Sequence, residues 1–321
     1  MSSQTANRTA LVTGATGLLG REVFNKFEIL GWNVIGTGYS RAKPPKIVKL
    51  DLTDGPAVES LIKEKKPDVI VHCAAERSPE VCDKDAARAR ELNVDTVQRL
   101  AELTAQQGTL FIYISTDYVF PGTPGDAPYE AEAATNPPNF YGQTKLDGEI
   151  ETRKGNPERG VVFRVPVLYG DVDEAKGEKE SAVNVLLDVV WNREKKKEVQ
   201  MDHWSLRYPT NTRDVARVLT DVSEKYLSAS SEELSKLPKI LQFSAEEKMT
   251  KYEICQTLGE ITGLPIDHIV PNAKGPDAAA GGTVRPFDCH LSTKALKEIG
   301  IDTDAIRFSG WWKWHLGAFR H

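Results

Sequence analysis

The chain has 321 residues, of which 40% are hydrophobic and 27% charged, with a formal net charge of −5. That balance suits an ordinary globular protein with a sizeable core and argues against intrinsic disorder. Scattered basic residues in an acidic chain give no footprint for nucleic acid, and no apolar run reaches the length of a membrane span. Neither is expected as a partner. The cysteines Cys73, Cys82, Cys255 and Cys289 lack metal-ligand spacing, so no metal is expected, and a reducing, cytoplasmic compartment fits them. Met1–Asn7 is polar and reads as a frayed leader rather than a signal peptide. No internal repeat is visible.

The first element is a short apolar run, Thr9 to Thr13, that enters the turn Gly14-Ala15-Thr16-Gly17-Leu18-Leu19-Gly20. A helix pattern follows through Val23, Phe24, Phe27 and Leu30. Strand, glycine turn and helix together form a dinucleotide-binding arrangement. Gly14 allows the sharp turn, Gly17 lets the backbone approach a pyrophosphate, and Gly20 lets helix pack on strand. The helix N-terminus offers unpaired N–H groups to the phosphates. Gly14 and Thr16 to Gly20 are therefore candidate cofactor contacts.

A second strand runs from Trp32 to Gly38. An NAD-specific site places an acid near this point to bond the ribose 2′-hydroxyl. Here the loop instead carries Tyr39, Ser40, Arg41 and Lys43, which suit a 2′-phosphate. NADP(H) is expected, with NAD(H) as the alternative. A third strand, Ile47 to Leu50, leads to Asp51 and Leu52 as candidate adenosine contacts, and Asp54 as a candidate helix cap.

Pro67 to His72 is a continuously apolar strand of the kind that parallel sheets bury. Cys73, Ala74 and Ala75 follow it and leave room for a cofactor. Glu76 and Arg77 either face the cleft or form an ordinary ion pair. A long helix pattern passes through Leu92, Val94, Val97, Leu100 and Leu103 to Gly108. Asn93 within it is a candidate cofactor contact, an internal strut or a surface residue. Thr109 to Ser115 is the fifth strand, ending at Thr116, Asp117 and Tyr118. A long loop rich in Pro, Gly and acidic residues precedes a helix near Phe140, and Gly160 to Pro166 is a sixth strand, with Val167 beyond it facing the cofactor. The alternation gives an α/β fold with a doubly wound parallel sheet.

Residues 1–170 are expected to form the nucleotide-binding domain, completed by about 211–244. Residues 171–210 and 245–321 are expected to form a smaller substrate-binding lobe. Its parts are a helix over Val183 to Trp191, a polar and aromatic stretch from Met201 to Thr210, a helix from about Thr250 to Gly263 and a Trp-rich C-terminal helix. Trp311, Trp312 and Trp314 either pack that helix onto the lobe or form an exposed docking patch.

Tyr141 and Lys145 stand four apart, which puts both on one helix face. A lysine ammonium beside a phenol lowers the phenol's pKa, and such a tyrosine can exchange a proton with a carbonyl. Thr116, at the end of the preceding strand, can bond the same carbonyl. Tyr39 and Lys43 share the spacing, but Pro44 and Pro45 keep them out of a helix.

These segments resemble the extended short-chain dehydrogenases/reductases. Gly14 to Gly20, Ser115-Thr-Asp-Tyr-Val-Phe120 and Tyr141 to Glu149 are similar to the dTDP-4-dehydrorhamnose reductase branch. The resemblance implies a Thr116–Tyr141–Lys145 triad, NADPH and a 4-keto-6-deoxy nucleotide sugar. Sugar dehydratases of the superfamily place Glu after the Asp of this strand end. Tyr118 stands there instead, which favours simple reduction over elimination. His203, Trp204 and Arg207 lie where the family binds substrate. Arg207 suits a diphosphate, and Arg285 is a second candidate phosphate contact. Within the branch, His72 to Arg77, Met201 to Thr210 and Met249 to Glu253 look like the regulatory β subunits of methionine adenosyltransferase. That resemblance implies the alternative role of a non-catalytic, NADP-binding partner of the catalytic subunit. The family docks through its C-terminal tail, and the tail here is shorter and different.

Overall fold

Strands β1 (Thr9–Thr13), β2 (Asn33–Gly38), β3 (Ile47–Lys49), β4 (Val69–His72), β5 (Leu110–Thr116) and β6 (Gly160–Val165) open the chain. Helices α1 (Leu18–Ile29), α2 (Gly55–Lys65), α3 (Pro79–Lys84), α4 (Ala86–Arg90), α5 (Thr96–Gln107) and α6 (Phe140–Gly155) connect them. The remainder carries β7 (Leu168–Tyr169), β8 (Val199–Asp202), β9 (Thr210–Asn211), β10 (Ile240–Gln242) and β11 (Ile269–Asn272). Its helices are α7 (Val185–Trp191), α8 (Thr212–Ser228), α9 (Ser231–Lys236), α10 (Lys251–Thr262), α11 (Lys294–Glu298) and α12 (Phe308–His315). These elements come from a computed structural model that describes residues 8–174, 176–192, 198–275 and 283–318. The leader Met1–Asn7, the middle of the Pro/Gly/Ala loop and the last three residues lie outside the described residues.

Seven strands form one parallel sheet in the order β3-β2-β1-β4-β5-β6-β10. This is a Rossmann-type doubly wound fold, and the strand order reverses between β1 and β4. The continuous apolar runs have a simple cause, since successive side chains go to opposite faces and both faces are covered. Val69, Val71, Leu110 and Ile112 join the core under α1 and α8, with Val23, Phe27, Val215 and Leu219. Ile70, Phe111 and Tyr113 join the opposite core, with Val58 and Ile62 of α2 and Val97 and Leu100 of α5. Two glycines fix the first turn. Gly14 has φ of +64°, and a Cβ on Gly20 would sit 2.1 Å from the Gly14 carbonyl oxygen.

The helix expected through Leu92 to Leu103 is interrupted. Between α4 and α5 the backbone widens over Glu91–Asp95, where the Thr96 N–H reaches the Glu91 carbonyl five residues back. The widened turn carries buried Asn93, which bonds both the N–H and the C=O of Glu76, each at 2.9 Å.

Beyond β7, Leu186, Leu187, Ile254, Leu258, Phe308, Trp311 and Trp312 form a separate hydrophobic cluster. The polar, aromatic stretch after Met201 supplies part of the short parallel ribbon of β8 and β11. Trp311 and Trp312 are buried, whereas Trp314 is 52% exposed with the Arg213 guanidinium 4.6 Å from its ring. Among the described residues no helix is long and apolar enough to cross a membrane.

Candidate active site

A cleft of about 1840 Å³ opens at the carboxyl ends of the central strands. Most of the residues singled out in the sequence line it. Gly14, Thr16 to Gly20, Ser40, Arg41, Asp51, Leu52, Cys73, Ala74, Ala75 and Val167 line it, as do Glu76, Arg77, Thr116, Asp117, Tyr118, Tyr141, Lys145, Arg207 and Arg285. Four others do not. Lys43 is exposed and exchanges backbone bonds with Ile47. Asn93 lies behind the wall. Its Nδ2 also reaches the Thr144 hydroxyl at 3.1 Å, and that hydroxyl bonds the Tyr141 carbonyl. Asn93 is thus a brace between the loop after β4 and α6. His203 pairs through Nδ1 with the Thr250 hydroxyl at 2.9 Å. Trp204 packs edge-on to Phe287 at 5.0 Å.

At the nucleotide end, α1 begins at Gly17 with no side-chain cap. Its first N–H groups are open to an anion. Asp51 accepts from the Thr53 N–H at 3.0 Å and hydroxyl at 2.8 Å, which lowers its carboxyl pKa. Asp54 caps α2 by accepting from the Ala57 N–H. Arg41 is held by acids from across the cleft, with Nη1 3.0 Å from Glu180 Oε1 and 3.6 Å from Asp173 Oδ2.

Tyr141 and Lys145 stand on one face of α6, whose start is capped by Asn139. Lys145 is 3% exposed, and its Nζ lies 4.1 Å from the Tyr113 ring centroid. Burial lowers its pKa to about 7, against the pull of the Glu149 carboxylate one turn on. The protein environment acts on Tyr141 in the opposite sense to the simple lysine argument. Desolvation drives the phenol well above its ordinary pKa, and the nearby Thr116 hydroxyl only partly opposes this. With a pKa of about 7, Lys145 carries only part of its positive charge at neutral pH.

The Thr116 hydroxyl is already committed. It accepts from the Tyr118 N–H at 3.2 Å and donates to Asp117 Oδ1 at 3.0 Å. Burial raises the Asp117 carboxyl to about 6, opposed by that bond and by Arg207. Behind α6, Glu149 and Arg164 form a buried pair, 0% and 2% exposed, with two bonds of 2.8 and 2.7 Å. Ser115 donates to the same carboxylate at 2.6 Å, which ties the end of β5 to α6.

Three cations meet at the far end. Arg207 is 7% exposed, and its Nη2 is buried with no hydrogen-bond partner among the described residues. Lys251, at the first turn of α10, has its pKa lowered by burial and by the charges of Arg207 and Arg285. Arg285 pairs with Glu80.

The model of the RmlD substrate binding domain matches residues 8–308. The chain belongs to that family. A Xenopus tropicalis relative, methionine adenosyltransferase 2 subunit beta, is 43% identical over 294 residues, covering 92% of this chain and 83% of the relative. A dTDP-4-dehydrorhamnose reductase from Streptomyces griseus is 37% identical over 160 residues, half of each chain. The crystal structure of a dTDP-4-dehydrorhamnose reductase from Clostridium acetobutylicum has a TM-score of 0.79 at 26% identity, covering 96% of this chain and 99% of that one.

In this RmlD-family chain, sequence reasoning passed over Glu180 and Lys251, both of which line the cleft. Lys251 had a local signal, since it opens a helix behind the capping pair Thr250 and Glu253. Glu180 had none, because its partners come from the opposite end of the chain. Glu76 and Arg77 do not pair with each other. The Glu76 carboxylate accepts from the Ser78 N–H, and Arg77 donates to the Glu180 carbonyl.

Proposed function

We propose that the cleft binds NADP(H) and that the chain reduces a 4-keto-6-deoxy nucleotide sugar. One observation carries this reading. Thr116, Tyr141 and Lys145 share a single cleft with the glycine turn and with the cations Arg207, Lys251 and Arg285. The residues fit the cofactor. The uncapped start of α1 suits the pyrophosphate, and the glycine turn has no room for side chains where phosphates must come close. Arg41 and Ser40, with no acid at the end of β2, suit a 2′-phosphate.

When bound, the nicotinamide supplies the hydride. The protein handles the proton and the charge. Tyr141, protonated at neutral pH, gives its phenolic proton to the ketone oxygen. Lys145, one turn along, stabilises the phenolate that remains. Thr116 has one proton, and an ionised Asp117 takes it. With Asp117 protonated, Thr116 is free to donate to the ketone. Arg207, Lys251 and Arg285 hold the diphosphate, and Arg207 Nη2, buried without a hydrogen-bond partner and 3.9 Å from Asp202 Oδ2, is one donor toward it. NADPH oxidation with dTDP- and UDP-linked 4-keto-6-deoxy sugars, run beside Tyr141→Phe, tests the reading. Tight NADPH binding without turnover on any of them rejects it.

A second reading has its own support. Likeness to the methionine adenosyltransferase β subunit covers 92% of the chain, against 50% for the reductase from Streptomyces griseus. In that role the chain carries NADP(H) as a ligand and binds the catalytic subunit of methionine adenosyltransferase in the cytoplasm. Co-purification of the tagged chain with that synthetase from its own cells supports the role, and its absence counts against it.

A further inference from the structure

Glu180 ends the short helical turn Gly177–Glu180 and is 4% exposed. Three arginines from three elements of the nucleotide-binding half converge on it. Arg21, at the start of α1, donates Nη2 to Oε2 at 2.6 Å and Nη1 to Oε1 at 3.1 Å. Arg41, after β2, donates Nη1 to Oε1 at 3.0 Å. Arg77, after β4, donates to the Glu180 backbone carbonyl at 2.6 Å. The Asp173 N–H adds a bond to Oε2 at 2.9 Å.

Counting donors separates the roles. Both Nη groups of Arg21 are fully engaged, because they also bond the Thr16 and Asp171 carbonyls at 2.9 Å each. Arg21 ties α1 to the segment that carries Glu180. Arg41 is engaged at one corner only, since both of its ion pairs run through Nη1. A guanidinium has five N–H donors in a rigid plane. Fixing Nη1 therefore orients Nε and Nη2, which have no partner among the described residues. Arg41 lines the cleft beside Gly38 and Ser40. An arginine held edge-on in this way matches the oxygens of a phosphate monoester.

We propose that Glu180 is a positioning residue for the cofactor's 2′-phosphate, holding Arg41 in the cleft wall and so setting the preference for NADP(H) over NAD(H). This rests on the dinucleotide reading of the cleft and not on turnover. The cluster stays charged in the neutral range. Burial works to raise the Glu180 carboxyl, but the bonds from Arg21, the Asp173 N–H and Arg41 outweigh it and hold the group at about 2.

The test is equilibrium binding of NADPH and NADH, by nicotinamide fluorescence, to the wild type, Glu180→Gln, Arg41→Gln and the double variant. Glu180→Gln is expected to lower the NADPH-to-NADH affinity ratio about tenfold, with NADH affinity changed by less than about twofold. In the Arg41→Gln background it is expected to add nothing further. Glu180→Asp keeps the negative charge in the cluster but draws it back by one methylene from Arg41 and Arg21 alike, so it should show a ratio change in the same direction at less cost to folding. An equal loss for both nucleotides makes Glu180 a structural tie and overturns the proposal. Tighter NADPH binding in Glu180→Gln also overturns it, because the carboxylate then competes with the phosphate. A wild type that binds neither nucleotide removes the dinucleotide reading itself.

Discussion

The nucleotide end of the cleft takes most of its wall from residues 14–77, whereas the far end draws on Thr116, Tyr141, Lys145, Arg207, Lys251 and Arg285. In the first region the glycine turn leaves the backbone N–H groups at the start of α1 open, with Arg41 the charged side chain proposed to work beside them. In the second the working groups are charged side chains taken out of water, and burial has moved the pKa of Lys145 and Asp117 toward neutrality. A backbone site is sensitive to added volume. A buried side-chain site is sensitive to lost partners, because a charge left unpaired there costs more than the pair contributed.

That contrast is open to attack at several points. The largest effect is expected from Tyr141→Phe, which removes the proposed proton donor. Turnover should drop about 10²- to 10⁴-fold while NADPH affinity stays within about twofold. Comparable losses in binding and turnover would show that the two ends are not separable. Next is Glu149→Ala, which strands buried Arg164 beneath α6. Urea denaturation should report a loss of about 3–5 kcal/mol, and an unchanged midpoint would mean that α6 does not rest on this pair.

Gly20→Ala strikes the opposite end, where the new Cβ meets the Gly14 carbonyl. Overpacking of this kind costs about 1–3 kcal/mol of folding stability; because the turn must shift to admit the Cβ, NADPH titration should also weaken about tenfold with Tyr141 untouched. The smallest effect concerns pH. Asp117 has a raised pKa of about 6, so it is protonated below that value and frees the Thr116 proton for a ketone. Arg207, Tyr118, Tyr141 and Cys289 are the other titratable groups whose charges act on or feel it. Ketone reduction should therefore fall as pH rises through about 6. Asp117→Asn should flatten that limb and leave the variant about tenfold faster than the parent one unit above it. An unchanged pH profile would show that Thr116 does not depend on Asp117.

Much of the nucleotide end was legible beforehand because its signals are local. Apolar runs with both faces buried, a glycine at positive φ and a cap such as Asp54 act over a few residues. The widened turn at Glu91–Asp95 was not legible, since the apolar positions on either side keep a helical spacing while Asn93 turns inward to brace Glu76. His203 and Trp204 sit in a stretch without a period, and nothing local tells whether such side chains face a cleft or a neighbour. Packing against Tyr252 and Phe287 decided it.

The sequence by itself determined the alternation of strands and helices, the glycine turn and the pairing of Tyr141 with Lys145 on one helix face. Each follows from backbone conformation over a handful of residues. Only the tertiary structure decided what charges those groups feel. Glu180 meets Arg41 and Arg21 across 139 and 159 positions of chain, and Arg207 approaches Pro286 across 79. Electrostatic contacts depend on distance in space and on exclusion of water, and neither quantity is written in the spacing of residues along the chain.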